Sequence, residues 1–130
     1  MNASAPVQLS QISQIAITVR DLQQMIAFYR DTLGMKFLFE APPNMAFFDC
    51  GGLRLLLGQE DKANLAHPAS ILYYKVGDIH AAFDALTARG VPVAEKPELV
   101  AKLPDHDLWL AFLRDPEGNR FALMSEVPRR

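Results

Sequence analysis

The feature that most constrains the fold is an internal repeat that spans nearly the whole chain. Residues 15–22 read Ile-Ala-Ile-Thr-Val-Arg-Asp-Leu, and residues 72–79 repeat the apolar run, the aspartate and the apolar residue that follows it. A second match aligns residues 49–56 with residues 115–122. We therefore expect a duplicated half-domain, with its ligand pocket where the two halves face each other.

The length and composition indicate a single folded domain, residues 1–130, in which 50% of the residues are hydrophobic and 22% are charged. The formal net charge of −2 provides no basic surface for nucleic acid. The single cysteine, Cys50, excludes an internal disulfide and a CxxC metal or redox site.

The N-terminus lacks the basic and apolar regions of a signal peptide, and no apolar run reaches membrane length. We therefore expect a cytoplasmic protein without a membrane partner.

Each half shows the element order βαβββ. Asp21 and Asp78 are the expected helix N-caps, and the helical periodicity that follows them ends at Gly34 and Gly90. The predicted strands cover residues 12–19, 35–40, 45–49 and 53–57 in the first half and residues 70–76, 91–94, 108–114 and 120–124 in the second. The chain thus divides into a module at residues 12–58, a linker at 59–68 and a second module at 69–127.

These segments, in this order, resemble the vicinal oxygen chelate superfamily, which includes glyoxalase I, fosfomycin-resistance transferases, extradiol dioxygenases and bleomycin-resistance proteins. The matching segments are residues 15–22, residues 28–34 (Phe-Tyr-Arg-Asp-Thr-Leu-Gly) and residues 115–119 (Asp-Pro-Glu-Gly-Asn). The resemblance implies an α+β fold in which two βαβββ modules form an open, U-shaped mixed-sheet cup, with helices outside and the ligand inside. It also implies a homodimer, formed by edge-wise packing of sheets or by exchange of modules at the linker.

The resemblance also locates the four positions at which metal-using members of the superfamily hold a divalent ion. In this chain the positions carry Gln14, Leu56, Ile71 and Ala122. Only Gln14 has an oxygen that can bind metal, whereas sites of this kind need about three protein ligands. We therefore predict no cofactor, and a divalent metal only under the alternative function given below.

With these positions facing the cup, strand alternation selects the other side chains that line it. The predicted ligand-binding residues are Gln14, Phe48, Arg54, Tyr73, Leu110, Phe112 and Arg120. Trp109 is expected on the helix-covered face, unless the register is shifted by one residue. An apolar lining with two arginines suits a mostly apolar molecule with a carboxylate or phosphate. Alternatively, the arginines reach solvent or pair with an acid such as Asp49, and the aromatic residues belong to the core.

His106 is the one candidate for a catalytic group, because the carboxylates of Asp105 and Asp107 flank it and suit acid–base chemistry. It falls in residues 95–107, a connection that is longer than its counterpart and that we expect to be a loop near the mouth of the cup. The alternative interpretation is an exposed loop histidine without a catalytic role.

Two functions are compatible with these patterns. The first is a glyoxalase- or bleomycin-resistance-like protein that binds a small, mostly apolar molecule without the superfamily's metal. The second is a metal-dependent lyase, isomerase or dioxygenase resembling glyoxalase I. It would use Gln14 together with further ligands, such as His106 or a residue of a second chain.

Overall fold

The computed structural model describes residues 12–59 and 70–129, which form the two expected βαβββ modules. The first module consists of β1 (Gln14–Val19), α1 (Leu22–Ala27), a π-helix (Phe28–Thr32), β2 (Lys36–Ala41), β3 (Met45–Cys50) and β4 (Leu53–Gln59). The second consists of β5 (Tyr73–Lys75), α2 (Ile79–Ala88), β6 (Val93–Lys102), β7 (His106–Arg114) and β8 (Arg120–Pro128). The predicted linker lies outside the described residues, except for Gln59, which ends β4.

Each module contains one four-stranded mixed sheet. The strand orders are β1-β4-β3-β2 and β5-β8-β7-β6, with the first pair in each sheet parallel and the others antiparallel. In the first sheet, Val19 and Leu57 are buried on the helix-covered face, whereas Gln14, Thr18 and Arg54 point to the opposite, exposed face. We call this second face of each sheet the open face. The α+β fold class, with open sheets and the helices outside, is thus confirmed.

Local signals at the ends of both helices produce the predicted boundaries. The Asp21 carboxylate accepts a hydrogen bond from the backbone N–H of Gln24 at 3.1 Å, and the Asp78 carboxylate accepts one from Ala81 at 3.1 Å. Each cap satisfies an N–H group that the first turn of a helix leaves without a partner. After each helix the chain turns at a glycine with positive φ.

The first helix differs from the second because it contains one additional residue. Gly34 lies 13 residues after Asp21, whereas Gly90 lies 12 residues after Asp78. The π-helix accommodates the difference, with the N–H of Leu33 bonded to the carbonyl of Phe28 at 2.9 Å. As a result, two consecutive aromatic residues, Phe28 and Tyr29, are both buried.

One hydrophobic core runs across both modules on the helix-covered side. We call the boundary between the modules on this side the seam. Phe28 crosses it and packs edge-on against Phe121, with ring centroids 5.9 Å apart. The Glu117 carboxylate also crosses it, accepting hydrogen bonds from the N–H groups of Arg20 and Asp21 at 2.7 to 2.9 Å. These contacts hold the start of the first helix against the second module.

The second sheet corrects the predicted loop at residues 95–107. The structure extends β6 from Val93 to Lys102, and β7 begins at His106, so most of the expected loop is an antiparallel hairpin. Pro97 and its charged neighbours resemble loop sequence, but β6 is an edge strand, where proline and charge are tolerated. Its pairing with β7 contains three irregularities that accommodate these residues. The predicted strand at residues 70–76 is shorter, Tyr73–Lys75.

Candidate functional site

The open face of the first module brings Gln14 and Arg54 together. They are direct neighbours in the parallel pairing of β1 with β4, and both are exposed. Ser13, Asp49 and Gly52 join them around a cavity of about 350 Å³. The cavity has mostly polar walls, so it offers hydrogen bonds and charge rather than apolar contact.

Arg54 is held against an aromatic ring. Its guanidinium carbon lies 5.7 Å from the centre of the Phe47 ring, a cation–π distance. Phe47 in turn stacks on Phe39 with centroids 4.8 Å apart. The two rings and the arginine form an apolar surface with a positive charge at one end.

Phe48 corrects the prediction for this face. It is completely buried on the helix-covered side, where its ring packs against Tyr29 and Phe37. Ala46, two residues earlier on the same strand, is also fully buried. Phe47, between them, is the aromatic residue of β3 on the open face.

The error in β3 has a physical cause in the length of one turn. Asp49 pairs with Arg54, whereas Arg114 pairs with Arg120, so the connection in the second module is longer by one residue. Equating the two connections shifts the register of β3 by one, and such a shift reverses the direction of every side chain. The sequence spacing from Asp49 to Arg54 equals that from Asp115 to Arg120, so the difference becomes visible only in the strand pairing.

The open face of the second module carries four of the predicted residues. Tyr73 and Phe112 flank the same position of β8, and their rings make an edge contact at 6.0 Å. The guanidinium carbon of Arg120 lies 5.5 Å from the centre of the Phe112 ring. Leu110 is two residues from Phe112 on the same face. Arg120 also approaches Glu95 at 3.7 Å, an exposed pair of the kind expected among the alternatives.

Trp109 lies on the helix-covered face, as the unshifted register predicted. It packs against the core, and the His80 ring of α2 contacts it edge-on with centroids 5.3 Å apart. The pairing of β7 with β8 is regular around it, which excludes the one-residue shift in this strand.

His106 is not part of a loop over the cup. It begins β7, and its ring nitrogens contact Asp105 at 2.7 Å and Glu126 at 3.3 Å. The side chain is about one-fifth exposed. The contact with His106 holds the pKa of the Asp105 carboxyl below its usual value. The imidazole is therefore positioned between two carboxylates at the far end of the hairpin.

The four positions that hold metal in the superfamily do not form a ligand set here. Ala122 is fully buried and presents only a methyl group, Leu56 is partly buried, and Ile71 is exposed. The Gln14 amide is the one donor among them. Within residues 12–59 and 70–129, no three His, Cys, Asp or Glu side chains lie close enough together to hold a metal ion. The residues present therefore do not fit the superfamily's metal.

Buried polar groups next to the seam organise the turn that precedes Arg120. Burial raises the pKa of the Asp115 carboxyl above its usual value. Hydrogen bonds from the N–H groups of Glu117 and Asn119, both 2.9 Å, act in the opposite direction and reduce this increase. Burial also raises the pKa of the Tyr29 and Tyr74 hydroxyls. These residues position the site rather than contact a ligand on the open face.

Comparison with known proteins agrees with this architecture. The profile of the glyoxalase/bleomycin resistance protein/dioxygenase superfamily matches residues 11–123. The chain belongs to this superfamily. It is 29% identical over 125 residues to the uncharacterized protein YraH of Bacillus subtilis (strain 168), an alignment that covers 84% of this chain and 93% of YraH.

Solved structures at lower identity share the fold. The lactoylglutathione lyase of Agrobacterium tumefaciens superposes with a TM-score of 0.71 at 22% identity, over 91% of this chain and 95% of the lyase. The virulence protein STM3117 of Salmonella typhimurium superposes with a TM-score of 0.74 at 23% identity, over 93% of this chain and 100% of that protein. At these identities the likeness concerns the fold alone. No helix among the described residues is long and apolar enough to span a membrane.

Proposed function

We propose that the chain binds a small, largely apolar molecule with an anionic group on the open faces of its sheets, without a resident metal. The observation that carries the proposal is the repeated pairing of an arginine with an aromatic ring, Arg54 with Phe47 and Arg120 with Phe112. An aromatic neighbour orients the guanidinium group, and the planar fork then suits a carboxylate or phosphate.

Arg54 is the stronger anchor of the two. It makes no ion pair with a carboxylate of residues 12–59 or 70–129, and it borders a cavity of about 350 Å³ together with Gln14. Arg120 has Glu95 nearby, but an exposed pair at 3.7 Å is weak enough for a ligand to displace. We expect the anionic group at Arg54, hydrogen-bonded to the Gln14 amide.

The apolar part of the ligand has aromatic partners on both sheets. Phe39 and Tyr73 are each about half exposed, and Phe112 is half-buried beside Tyr73. Exposed aromatic rings on a concave or open sheet face are typical of small-molecule binding surfaces. A planar aromatic acid would combine both kinds of contact.

The test uses 2-naphthoate and its neutral isostere 2-naphthamide in calorimetric titrations. Arg54→Gln should weaken naphthoate binding about tenfold, because a charge-assisted hydrogen bond is lost, and should leave naphthamide binding unchanged. Arg120→Gln should have a smaller effect in the same direction, and Arg20→Gln, an exposed arginine at the end of β1, is the matched control. Equal naphthoate affinity in wild type and both open-face variants would refute the proposal.

The metal-dependent alternative is tested separately. We expect the purified protein to carry no stoichiometric metal and to show the same melting temperature with Ni²⁺, Zn²⁺, Mn²⁺, Fe²⁺ or a chelator. Stoichiometric metal that a chelator removes, with a fall in melting temperature, would instead favour a lyase, isomerase or dioxygenase reaction with Gln14 as one ligand.

We further propose that the chain works as a homodimer in which the open faces are partly covered by a second copy. Phe39, Ile71 and Tyr73 expose between 41% and 49% of their surface, which leaves apolar area for a second copy to cover. Light scattering after size exclusion should give twice the chain mass, and Tyr73→Glu should shift it towards the monomer. A monomeric wild type would refute this part. The cytoplasmic location and the lack of nucleic-acid partners remain predictions from the sequence.

A further inference from the structure

A second cavity lies on the other side of the sheets, at the seam. It measures about 460 Å³ and is bordered by residues of both modules. Ala82, Ala85 and Leu86 of α2 form one wall together with Arg89, the residue that caps the helix, because these positions recur at helical spacing on one face. The opposite wall comes from the segments at residues 33–36 and 49–51. This cavity is separate from the open face that carries Arg54 and Arg120.

The cavity exists because the two helices of the repeat carry side chains of different size. Counted from the capping aspartates, Phe28 corresponds to Ala85 and Met25 corresponds to Ala82. Phe28 is buried and fills its side of the seam by contacting Phe121. Ala85 is exposed and leaves the equivalent volume empty of side chains from the described residues.

The chemistry of the walls favours an amphiphilic ligand. The interior is apolar, with Met35, Val76 and Leu123 among the bordering residues. Arg89 donates a hydrogen bond to the carbonyl of Thr32 at 2.7 Å, yet neither it nor Lys36 makes an ion pair with a carboxylate of residues 12–59 or 70–129. With Asp49 as the one acid on the border, the rim carries two cations against one carboxylate.

The Tyr74 ring also lines the cavity. Its hydroxyl oxygen is inaccessible and lies towards the Tyr29 hydroxyl in the core, so the ring contributes apolar contact. An apolar interior and a positive rim are usual elements of a small-molecule pocket.

We propose that the seam cavity is a second ligand site, which takes a molecule with an apolar chain or ring and one carboxylate. The carboxylate lies at Arg89 and Lys36 on the rim, and the apolar part extends between Ala85 and Phe121. The cations of this site, Arg89 and Lys36, differ from the open-face arginines, so the two proposals can fail separately, although Asp49 borders both cavities.

Cys50 makes this site directly testable. It is the sole cysteine of the chain, it borders the cavity and its thiol is free and partly accessible. The rate of N-ethylmaleimide addition, followed by intact mass, therefore reports whether the space next to Cys50 is occupied. Cys50 also borders a neighbouring cavity of about 320 Å³, which has no α2 residue in its wall, so variants of Ala85 and Arg89 assign the effect to the seam cavity. Octanoate should slow the addition saturably, whereas 1-octanol, which lacks the carboxylate, should need about tenfold higher concentration for the same protection.

Variants separate this site from the open face. Ala85→Phe copies Phe28 into the cavity and should abolish the octanoate effect, and Ala82→Met, which copies Met25, serves if that variant fails to fold. Arg89→Gln should weaken octanoate about tenfold without changing 1-octanol. Arg120→Ala should leave the protection unchanged.

Three outcomes would overturn the proposal. Octanoate could fail to protect Cys50, or protect it equally in Ala85→Phe. Protection could disappear in Arg120→Ala, which would place octanoate on the open face. Cys50 could also be unreactive without any ligand, which would mean that the cavity is already closed.

Discussion

The two sides of the seam occupy equivalent places in the repeat but are packed differently. On one side Phe28 is buried against Phe121, and a cavity bordered by Tyr29 and Asp115 measures about 10 Å³. On the side of Ala85 the cavity measures about 460 Å³. The comparison indicates that one side contributes most of the stability between modules, whereas the other retains space for a ligand.

The polar contacts across the seam show the same difference. On the Phe28 side, Glu117 accepts hydrogen bonds from the backbone at the start of α1. The corresponding turn of the first module has Gly51 in place of this glutamate, counting from Asp49 and Asp115. Within residues 12–59 and 70–129, no carboxylate of the first module binds the backbone at the start of α2 in this way. Mutations on the Phe28 side should therefore lower the free energy of unfolding more than mutations on the Ala85 side.

The largest effect is expected from Phe28→Ala. Removing a buried phenylalanine leaves a cavity, and the free energy of unfolding should fall by about 3 to 5 kcal/mol. Urea denaturation measures the change. Phe39→Ala is the matched control, because this ring is nearly half exposed, and it should cost less than about 1 kcal/mol. Similar losses in the two variants would contradict the packing described for the seam.

Asp115→Ala should have the next largest effect. The buried carboxylate accepts two backbone hydrogen bonds of 2.9 Å, and its loss should cost about 2 kcal/mol. The counterpart, Asp49→Ala, removes a single 3.2 Å bond to Gly52 and should cost less than about 1 kcal/mol. A larger loss for Asp49 than for Asp115 would reverse the comparison between the two turns.

The pH dependence of Asp115 provides a second measurement on the same residue. Burial raises its pKa in the folded state, so the folded protein binds a proton more tightly than the unfolded chain. Wild type should therefore lose stability relative to Asp115→Asn as the pH rises from the unfolded pKa, about 3.9, through the raised folded value. If the wild type instead gained stability relative to Asp115→Asn over this pH range, the hydrogen bonds would outweigh burial in setting the pKa of Asp115.

Glu117→Ala should have a smaller effect, about 1 kcal/mol, because the carboxylate binds backbone N–H groups at a helix start but is partly exposed. Added salt should reduce the difference from wild type. Glu98→Ala, an exposed glutamate of β6, should change stability by less than about 0.5 kcal/mol. Equal effects of the two glutamates would exclude a role for Glu117 across the seam.

The smallest effect is expected from Ala85→Leu, and it has the opposite sign. Filling part of the open cavity should raise the free energy of unfolding by about 0.5 to 1 kcal/mol. Thermal denaturation measures it, with Ala81→Leu, on the exposed part of α2, as the control. A loss of stability would show that the cavity does not accept an added side chain.

Local signals in the sequence predicted the module order and most element boundaries. Asp21, Asp78, Gly34 and Gly90 act through their own backbone or that of near neighbours, so their effect does not depend on distant residues. The strand predicted at residues 91–94 was too short, because the edge position that permits Pro97 in the extended β6 depends on the whole sheet order.

The candidate site was predicted in part for a similar reason. The open face of β7 and β8 follows from alternation next to a turn that was placed correctly. On β3 the same reasoning selected Phe48 instead of Phe47, because strand register depends on the length of a turn and not on local composition. The seam cavity was not predicted, because it arises between residues far apart in the chain.

The sequence by itself determined the duplicated βαβββ architecture, because this depends on residue type and order. The resemblance to the superfamily then located Leu56, Ile71 and Ala122, whose side chains have no metal-binding atom. The tertiary structure alone decided which side of the seam is filled, how the π-helix buries Phe28 and Tyr29 together, and which arginines rest on aromatic rings. These features depend on packing between modules, where a difference of one side chain or one turn residue changes volume and direction at a distance.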